Sequence, residues 1–291
     1  MKYIVAVSGG VDSVVLLDML TTPLQGWTLL QGPTLQREGN EVEIIVAHFD
    51  HGIRPNSADD ARFVEALAQK YGCQFETQRE ELGPDASEER ARTRRYVFLR
   101  MLAKKHNGRI VTAHHLDDIV ETIAINLHRG TGWRGLGVLG AADIDRPLLA
   151  TPKHELYAYA LAHNLEWVED ETNHSDVYLR NRLRQKMHAL SPSNKARLAD
   201  LRSTQLKLEK EITAEVKKLA HTWGCRRYPY IMIQQPEALE LLRFLANAKL
   251  TRPQMHAAWL AIKTAKPHTK HQCGSGVNLQ VSFDKFELTV V

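Results

Sequence analysis

The 291-residue sequence predicts an α/β fold, in which a parallel sheet is flanked by helices and followed by a smaller, mostly helical unit. Short apolar segments with the character of buried strands alternate with helical segments, an order typical of a parallel sheet. Polar residues cluster directly after these strands, where open α/β sheets bind their ligands. A Ser-Pro-Ser-Asn stretch after Leu190 breaks a helical pattern, so we predict units at 1–190 and 191–291.

The segment Lys2–Leu20 combines a strand, a tight turn and a helix. The strand is predicted over Tyr3–Val7, and the helix begins near Ser13. Between them, Gly9 and Gly10 lack a Cβ atom, so backbone N–H groups can approach phosphate oxygens closely. The start of the helix adds unsatisfied N–H donors and a partial positive charge. The segment therefore predicts an anion site that holds phosphate.

Ser8, Val11, Asp12 and Ser13 complete the turn around these two glycines. The hydroxyl groups of Ser8 and Ser13 are donors for phosphate. The carboxylate of Asp12 repels phosphate, so it fits either as a helix cap or as a ligand of a bridging Mg²⁺. The alternative is that Gly and Asp serve only the turn, since Gly-rich turns are common and no Lys follows as in the G-x-x-x-x-G-K-S/T phosphate loop.

The other elements follow from apolar patterns and breaker residues. Further strands are predicted at Val42–Phe49, Gln74–Gln78, Arg109–Ala113, Arg146–Leu149 and Tyr228–Ile233, with a hairpin over Gly276–Val291. Helices are predicted at Ser57–Tyr71, Ser87–Asn107, Lys153–Asn164, Val177–Leu190, Lys195–Ala220, Glu237–Ala246 and Arg252–Thr264. The predicted loops are Thr21–Asn40 and Arg129–Gly140.

Two histidines lie at the end of the second strand, His48 in its last residues and His51 just beyond it. Imidazole is a common metal ligand, but two histidines alone are a weak indication of a metal site. We therefore favour the interpretation that they line a nucleotide pocket.

Arg92 and Arg95 lie three residues apart on the helix predicted at Ser87–Asn107, so they share a face. Two guanidinium groups on one face suit contacts to phosphate or carboxylate. The alternative is salt bridging along the helix, as between Glu88 and Arg92.

Acidic residues follow the fourth strand and open a helix that ends at Leu127: after His115 come Asp117, Asp118 and Glu121. Their spacing allows all three carboxylates to crowd one end of the helix. The alternative is that they only interact with the helix dipole. Because they exceed what capping needs, we predict that they hold Mg²⁺, accept a proton or bind a substrate ammonium group.

The charge is unevenly distributed, since the segment Arg180–Lys270 holds 19 Lys and Arg residues against 6 Asp and Glu residues. Such an excess favours a polyanionic partner, nucleic acid, over solvated helix faces of mixed charge. Candidate contacts are Arg134, next to Trp133 in a Gly-rich loop, and four residues of a basic helix. Those four are Arg180, Asn181, Arg182 and Arg184.

The three cysteines, Cys73, Cys225 and Cys273, form no C-x-x-C pair. Their spacing argues for a reducing compartment and against a thiolate zinc or iron–sulfur site. No apolar stretch approaches the ~18 residues of a membrane span, and the first apolar run is too short for a signal peptide. We therefore expect a cytoplasmic protein without a membrane segment.

Five segments together carry a family resemblance. SGGVDS at Ser8 resembles the signature of the N-type ATP pyrophosphatases, also called the PP-loop superfamily. The others are HFDHGIR at His48, ERARTRRY at Glu89, TAHHLDDIVET at Thr112 and EDETNHSDVYLRNRLR at Glu169. With these segments the chain resembles the tRNA(Ile)-lysidine synthetases of the short, two-domain kind. The resemblance implies a Rossmann-like sheet of the adenine nucleotide alpha hydrolase type and a C-terminal unit that binds tRNA.

The reaction that this resemblance implies has two steps. ATP adenylates the oxygen on carbon 2 of the wobble cytidine in a CAU anticodon of tRNA(Ile), and the ε-amine of L-lysine then displaces AMP. Asp12 would bind Mg²⁺, Arg92 and Arg95 would contact phosphate or the adenylate, and Asp118 and Glu121 would receive the amine and its proton. The resemblance also implies a homodimer.

Two rival functions fit parts of the same sequence. A tRNA 2-thiolation enzyme of the same fold generally uses cysteines, commonly as C-x-x-C, and this chain has no such pair. A non-catalytic, nucleotide-dependent RNA-binding module is disfavoured by the crowded carboxylates Asp117, Asp118 and Glu121, because they would repel a polyanion.

Overall fold

The computed structural model describes residues 1–22, 42–52, 57–83, 86–169, 187 and 190–290. Its strands are β1 (Lys2–Ala6), β2 (Glu43–Asp50), β3 (Gln74–Arg79), β4 (Arg109–Val111), β5 (Ile144–Asp145), β6 (Thr269–Gly274), β7 (Val277–Val281) and β8 (Phe286–Val290). Its helices are α1 (Val11–Thr21), α2 (Ser57–Lys70), α3 (Glu88–His106), α4 (Leu116–His128), α5 (Lys153–Ala162), α6 (Pro192–Trp223), α7 (Arg227–Met232), α8 (Gln235–Leu245) and α9 (Arg252–Thr264). Most of the predicted loop Thr21–Asn40 and helix Val177–Leu190 lies outside the described residues, as do Arg180, Asn181, Arg182 and Arg184.

The first five strands form one parallel sheet in the order β3-β2-β1-β4-β5. The central strand is β1, in which Val5 lies level with Val46 of β2 and Val111 of β4. The strand order reverses between β1 and β4, and open parallel sheets bind ligands beyond the carboxyl ends of the strands at such a point. The sheet confirms the predicted α/β fold.

Both faces of β1 are buried, because its residues point alternately to the two helical layers. Tyr3 and Val5 pack in the apolar cluster that contains α1 and α5 residues. Ile4 packs on the other face with Leu99 and Leu102 of α3. A strand covered on both sides reads as a continuous apolar run, as this one does.

A buried carboxylate fixes α1 behind the turn that precedes it. Asp18 is 6% exposed and accepts hydrogen bonds from the hydroxyls of Tyr71 at 2.5 Å and Tyr159 at 2.7 Å. Tyr71 follows α2 and Tyr159 lies in α5, so three helical segments meet at one carboxylate. Charge-assisted bonds of this kind stabilise a buried carboxylate, which would otherwise be costly.

The strand predicted at Arg146–Leu149 is wrong. The structure places β5 two residues earlier, at Ile144–Asp145, and the chain turns immediately afterwards. Pro147 has no N–H group to donate to a sheet, so the segment leaves β4 at that point.

The strand predicted at Tyr228–Ile233 is also wrong, since Arg227–Met232 forms the short helix α7. Pro229 lies in its first turn, where a missing N–H group costs nothing. Tyr230 is fully buried and meets the ring of Phe286 edge to face at a centroid distance of 4.9 Å. Tertiary packing here overrides the strand propensity of the aromatic residues.

The chain divides into two compact units, Met1–Gln205 and Leu206–Val291, and the division falls within α6. The second unit contains α7, α8, α9 and an antiparallel sheet in the order β6-β7-β8. The predicted hairpin is present as β7 and β8, whereas β6 was not predicted. The domain boundary after Leu190 stays a prediction. Within the described part of the chain, no helix has both the length and the apolar character needed to cross a membrane.

Candidate functional site

A cavity of about 540 Å³ opens beyond the carboxyl ends of β1, β2 and β4. It lies at the reversal of strand order, where the fold predicts a ligand site. The predicted site residues that line it are Ser8, Gly10, Asp12, Ser13, His48, His51, Arg92, Arg95 and Asp118.

The turn between β1 and α1 forms one wall of the cavity. Gly9 has φ of +92°, a conformation that side chains with a Cβ atom rarely adopt, which explains glycine there. The hydroxyl of Ser13 accepts a hydrogen bond from the Ser8 N–H at 3.2 Å and donates to the Gly10 carbonyl at 2.9 Å. Helix α1 begins at Val11, and the Gly10 carbonyl accepts the N–H groups of Ser13 and Val14 at 3.1 Å each. The N–H groups of Val11 and Asp12 precede these bonds and have no carbonyl partner within the helix. The arrangement suits an anion such as phosphate.

Asp12 is the carboxylate of this wall. Its Oδ2 atom lies 3.5 Å from Nε2 of His115 and 3.5 Å from Nζ of Lys153. Burial raises the pKa of Asp12, but the hydrogen bond and charge of His115 and the charge of Lys153 outweigh burial, so the pKa lies below its ordinary value. Its Oδ1 atom is buried and has no hydrogen-bond partner among the described residues. An ionised oxygen without a donor fits a divalent cation such as Mg²⁺.

His115 lies behind the cavity and joins two of its carboxylates. It is 4% exposed, and its Nε2 atom lies 3.5 Å from Asp12 and 3.7 Å from Oδ2 of Asp118. The same Asp118 oxygen accepts the His115 backbone N–H at 2.9 Å, which forms a capping box at the start of α4. Burial lowers the pKa of His115, but the bond to Asp12 and the charge of Asp118 outweigh burial and raise it above its ordinary value.

The other two predicted carboxylates do not line the cavity. Asp117 accepts the Lys153 backbone N–H at 2.8 Å and Nζ of Lys195 at 2.5 Å. Burial raises the pKa of Asp117, but these two partners outweigh burial and lower it. Glu121 is 4% exposed, one turn further into α4. The roles proposed for Asp117 and Glu121 stay predictions, and Asp118 is the member of this group that reaches the cavity.

Arginines of α3 form the wall that faces the turn. Arg92 and Arg95 both line the cavity, and both guanidinium groups lie over the ring of Tyr96, at 5.4 and 5.5 Å from its centroid. Burial, and then the charge of Arg92, lower the pKa of Arg95. Burial together with the charges of Arg146, Arg95 and Arg92 lowers the pKa of His114 to about 2. His114 is therefore neutral, and this wall is cationic and suited to an anionic group.

His48 near the end of β2 and His51 directly after β2 both line the cavity. His48 is 4% exposed, and its Nδ1–H donates to the Val7 carbonyl at 2.9 Å, which fixes the ring. The ring of His51 meets that of Phe49 at a centroid distance of 4.9 Å. Among the described residues, no group of three or more His, Cys, Asp or Glu side chains is arranged to hold a metal ion by itself. Their placement accords with the lining of a pocket.

Sequence reasoning missed three cations near the site: Arg146, Lys153 and Lys195. Arg146 follows β5, and its Nη1 atom donates to the Leu139 carbonyl at 3.0 Å. Lys153 begins α5, and the only signal in the sequence was its place at a helix start. The predicted contact residue Arg134 lies over the ring of Trp133 at 4.5 Å and does not line the cavity.

Comparisons with known proteins agree with this geometry. A family model described as a PP-loop domain matches residues 1–191. The tRNA(Ile)-lysidine synthase of Legionella pneumophila is 38% identical over 198 residues, which cover 65% of this chain and 42% of that protein. The tRNA(Ile)-lysidine synthase of Haemophilus ducreyi is 31% identical over 270 residues, which cover 89% of this chain and 57% of that protein. The chain thus spans about half the length of the curated relatives that it matches.

A solved structure shares the fold. The U34-tRNA thiolase NcsA from Methanococcus maripaludis with its 4Fe–4S cluster superposes with a TM-score of 0.56 at 17% identity, over 71% of this chain and 72% of that chain. At this identity the likeness concerns the fold alone. The family model, in contrast, covers well over half of the sequence and includes the turn, both arginines and the acidic helix start. The chain belongs to the PP-loop domain family.

Proposed function

We propose that this protein attaches L-lysine to carbon 2 of the wobble cytidine in the CAU anticodon of tRNA(Ile), with ATP as the activating substrate. Membership of the PP-loop family implies the use of ATP. The names of the curated relatives support lysidine as the product. The observation that carries the proposal is the meeting of a phosphate-binding turn, two arginines and the carboxylate of Asp118 at one cavity.

The first step is adenylation of the cytidine. Its carbonyl oxygen on carbon 2 attacks the α-phosphorus of ATP, the bond between that phosphorus and the bridging oxygen breaks, and pyrophosphate leaves. The turn from Ser8 to Ser13 would hold the pyrophosphate portion, because it lines the cavity at the start of α1, where the helix dipole favours an anion. Arg92 and Arg95 would stabilise the charge on the α-phosphate from the opposite wall.

Asp12 is the residue that we propose to hold Mg²⁺. Its unpartnered, buried Oδ1 atom offers the ionised oxygen that this cation prefers. The cation would supply neutralisation of the pyrophosphate charge. His115 and Lys153, which contact the other oxygen of Asp12, would orient the carboxylate.

The second step needs an amine that has lost its proton. The ε-amine of lysine attacks carbon 2 of the adenylated cytidine, the bond from carbon 2 to its oxygen breaks, and AMP leaves with that oxygen. The amine arrives as an ammonium group, so a carboxylate must attract it and a base must accept its proton. Asp118 is the carboxylate of the α4 start that lines the cavity, and we assign both roles to it.

The tRNA backbone would be bound by the basic part of the sequence. The unit Leu206–Val291 carries 13 Lys and Arg residues against 7 Asp and Glu residues, which supports binding of a polyanion. The predicted contacts Arg180, Asn181, Arg182 and Arg184 belong to the same basic stretch of sequence and stay predictions.

The test is incorporation of radiolabelled lysine into tRNA(Ile) transcripts by the purified protein. We expect label in the CAU transcript only when ATP and Mg²⁺ are both present, with release of pyrophosphate. The matched control is the same transcript with uridine in place of the wobble cytidine, which should remain unlabelled. Incorporation of labelled sulfur without lysine would replace the proposal by the thiolation alternative.

A further inference from the structure

The first turns of α6 are attached to the acidic start of α4, although they follow the end of the family match at residue 191. Nζ of Lys195 lies 2.5 Å from Oδ1 of Asp117. The side chains are only 15% and 22% exposed, so water screens this pair far less than it screens a surface salt bridge.

Further contacts from the same face of α6 hold the helix in this position. Leu198 packs against the apolar cluster that contains Ile119 of α4 and Val138. Arg202 donates through Nε to the Val138 carbonyl at 2.7 Å and through Nη2 to the Leu139 carbonyl at 3.0 Å. Positions 195, 198 and 202 follow the spacing of one helix face, so the Lys195 contact is part of a continuous packing surface.

Two short paths connect this contact to Asp12. On one path, Oδ2 of Asp117 accepts the Lys153 N–H at 2.8 Å, and Nζ of Lys153 lies 3.5 Å from Oδ2 of Asp12. On the other, Nδ1 of His115 lies 3.9 Å from Asp117, and its Nε2 lies 3.5 Å from Asp12. Asp12 and Asp117 therefore share one cationic neighbour, His115, and both contact Lys153, Asp117 through its backbone N–H and Asp12 through its ammonium group.

We propose that Lys195 is a positioning residue of the catalytic centre, acting through Asp117. Two carboxylates that share one imidazole compete for its charge, and the ammonium group of Lys195 balances Asp117 so that His115 stays on Asp12. The same balance keeps Asp117 on the Lys153 N–H, which fixes the start of α5 and with it the Lys153 side chain beside Asp12. Without Lys195, the charge of Asp117 is left partly buried and draws His115 away from Asp12. As far as it concerns the reaction, this inference rests on the proposed function. It extends the working part of the PP-loop unit beyond residue 191 into α6.

The first measurement needs no substrate. Backbone amide hydrogen exchange is compared for the 291-residue protein and its Lys195→Met, Lys195→Arg and Lys104→Met variants. We expect exchange in peptides covering 112–121 to rise about tenfold in Lys195→Met, because the contact from Lys195 that holds Asp117 at the start of α4 is lost. Lys195→Arg should restore most of the protection. Lys104→Met, which changes an exposed lysine of α3, should match the parent.

The second measurement is tRNA-dependent release of pyrophosphate. In Lys195→Met, kcat should fall about tenfold through misplacement of the carboxylates. The KM for ATP should change by less than about threefold, because Lys195 does not touch the phosphate-binding turn. Adding Asp117→Asn to Lys195→Met should restore part of the lost kcat, because the uncompensated charge that draws His115 away from Asp12 is then removed.

Either of two results would overturn the inference. One is exchange in 112–121 that is the same in Lys195→Met and Lys104→Met. The other is a kcat that stays at the parent value although exchange rises, since Lys195 would then be structural only. If the parent protein releases no pyrophosphate with tRNA(Ile), the proposed function fails, and hydrogen exchange alone decides whether Lys195 positions the turn.

Discussion

In the unit Leu206–Val291 the buried guanidinium group of Arg227 donates to backbone carbonyls, whereas in the unit Met1–Gln205 several buried polar atoms have no hydrogen-bond partner among the described residues. Arg227 is 9% exposed and donates to the carbonyls of Ile262 at 2.5 Å, Ala265 at 2.7 Å and Ser282 at 3.2 Å. A buried cation with all these acceptors is a structural device that ties α9 to the turn after β7.

The buried side-chain atoms without a partner all belong to the first unit, within the part of the chain that the structure describes. They are Asp12 Oδ1, His51 Nδ1, Ser57 Oγ, Tyr96 Oη, His115 Nδ1, Arg146 Nε and Gln205 Nε2. Three of these residues, Asp12, His51 and Ser57, line the cavity. Leaving a buried polar group unpaired costs about 1–3 kcal/mol, so such atoms are expected where a ligand supplies the missing partner.

The comparison predicts that changing a residue of the cavity lowers activity without lowering stability. The largest such effect is expected for Asp118→Asn. Asp118→Asn keeps an oxygen that can accept the His115 N–H, so the capping box and the fold should persist. The amide carries no charge and is no base, so lysine transfer should fall about 100- to 1,000-fold. The measurement is lysine incorporation into tRNA(Ile), with the midpoint of thermal unfolding recorded on the same sample.

The control for Asp118→Asn is Asp59→Asn, which changes an exposed aspartate in the first turn of α2. It should leave lysine incorporation at the parent level. Full incorporation by Asp118→Asn would remove Asp118 from the mechanism. A large drop in the thermal unfolding midpoint of Asp118→Asn would show that Asp118 stabilises the fold.

In the C-terminal unit, the second prediction is a loss of stability. Arg227→Met should lower the free energy of unfolding by about 2–4 kcal/mol, because the buried carbonyls lose their donors. Arg226→Met is the matched control, since the neighbouring side chain is exposed and should contribute less than about 0.5 kcal/mol. Urea unfolding followed by circular dichroism measures both. Equal stability of the two variants would mean that the carbonyl contacts of Arg227 add nothing.

The sequence predicts most of the sheet, because the apolar runs of β1, β2 and β4 and the turn before α1 carry strong local signals. It could not predict which carboxylates reach the cavity. That depends on the rotational phase of α4, and a shift of one residue at its start exchanges Asp117 for Asp118. The sequence could not predict the contact of Lys195, because Lys195 and Asp117 are 78 positions apart and helical periodicity describes only near neighbours.

The smallest effect on stability is expected at Asp18, the buried carboxylate of α1. Its oxygens have hydrogen-bond donors, so this part of the first unit resembles the surroundings of Arg227 in the second unit. Tyr159→Phe removes the 2.7 Å bond to Oδ2 of Asp18 but leaves Oδ1 with its bonds from the hydroxyls of Tyr71 and Thr22. The free energy of unfolding should fall by about 1–2 kcal/mol. Tyr157→Phe, on the exposed side of the same helix, is the control and should be neutral. Lysine incorporation per folded molecule should stay at the parent value, because Asp18 does not line the cavity. A loss of activity in Tyr159→Phe at full stability would show that the site extends behind α1. Buried atoms that have hydrogen-bond partners would then serve function as well as structure.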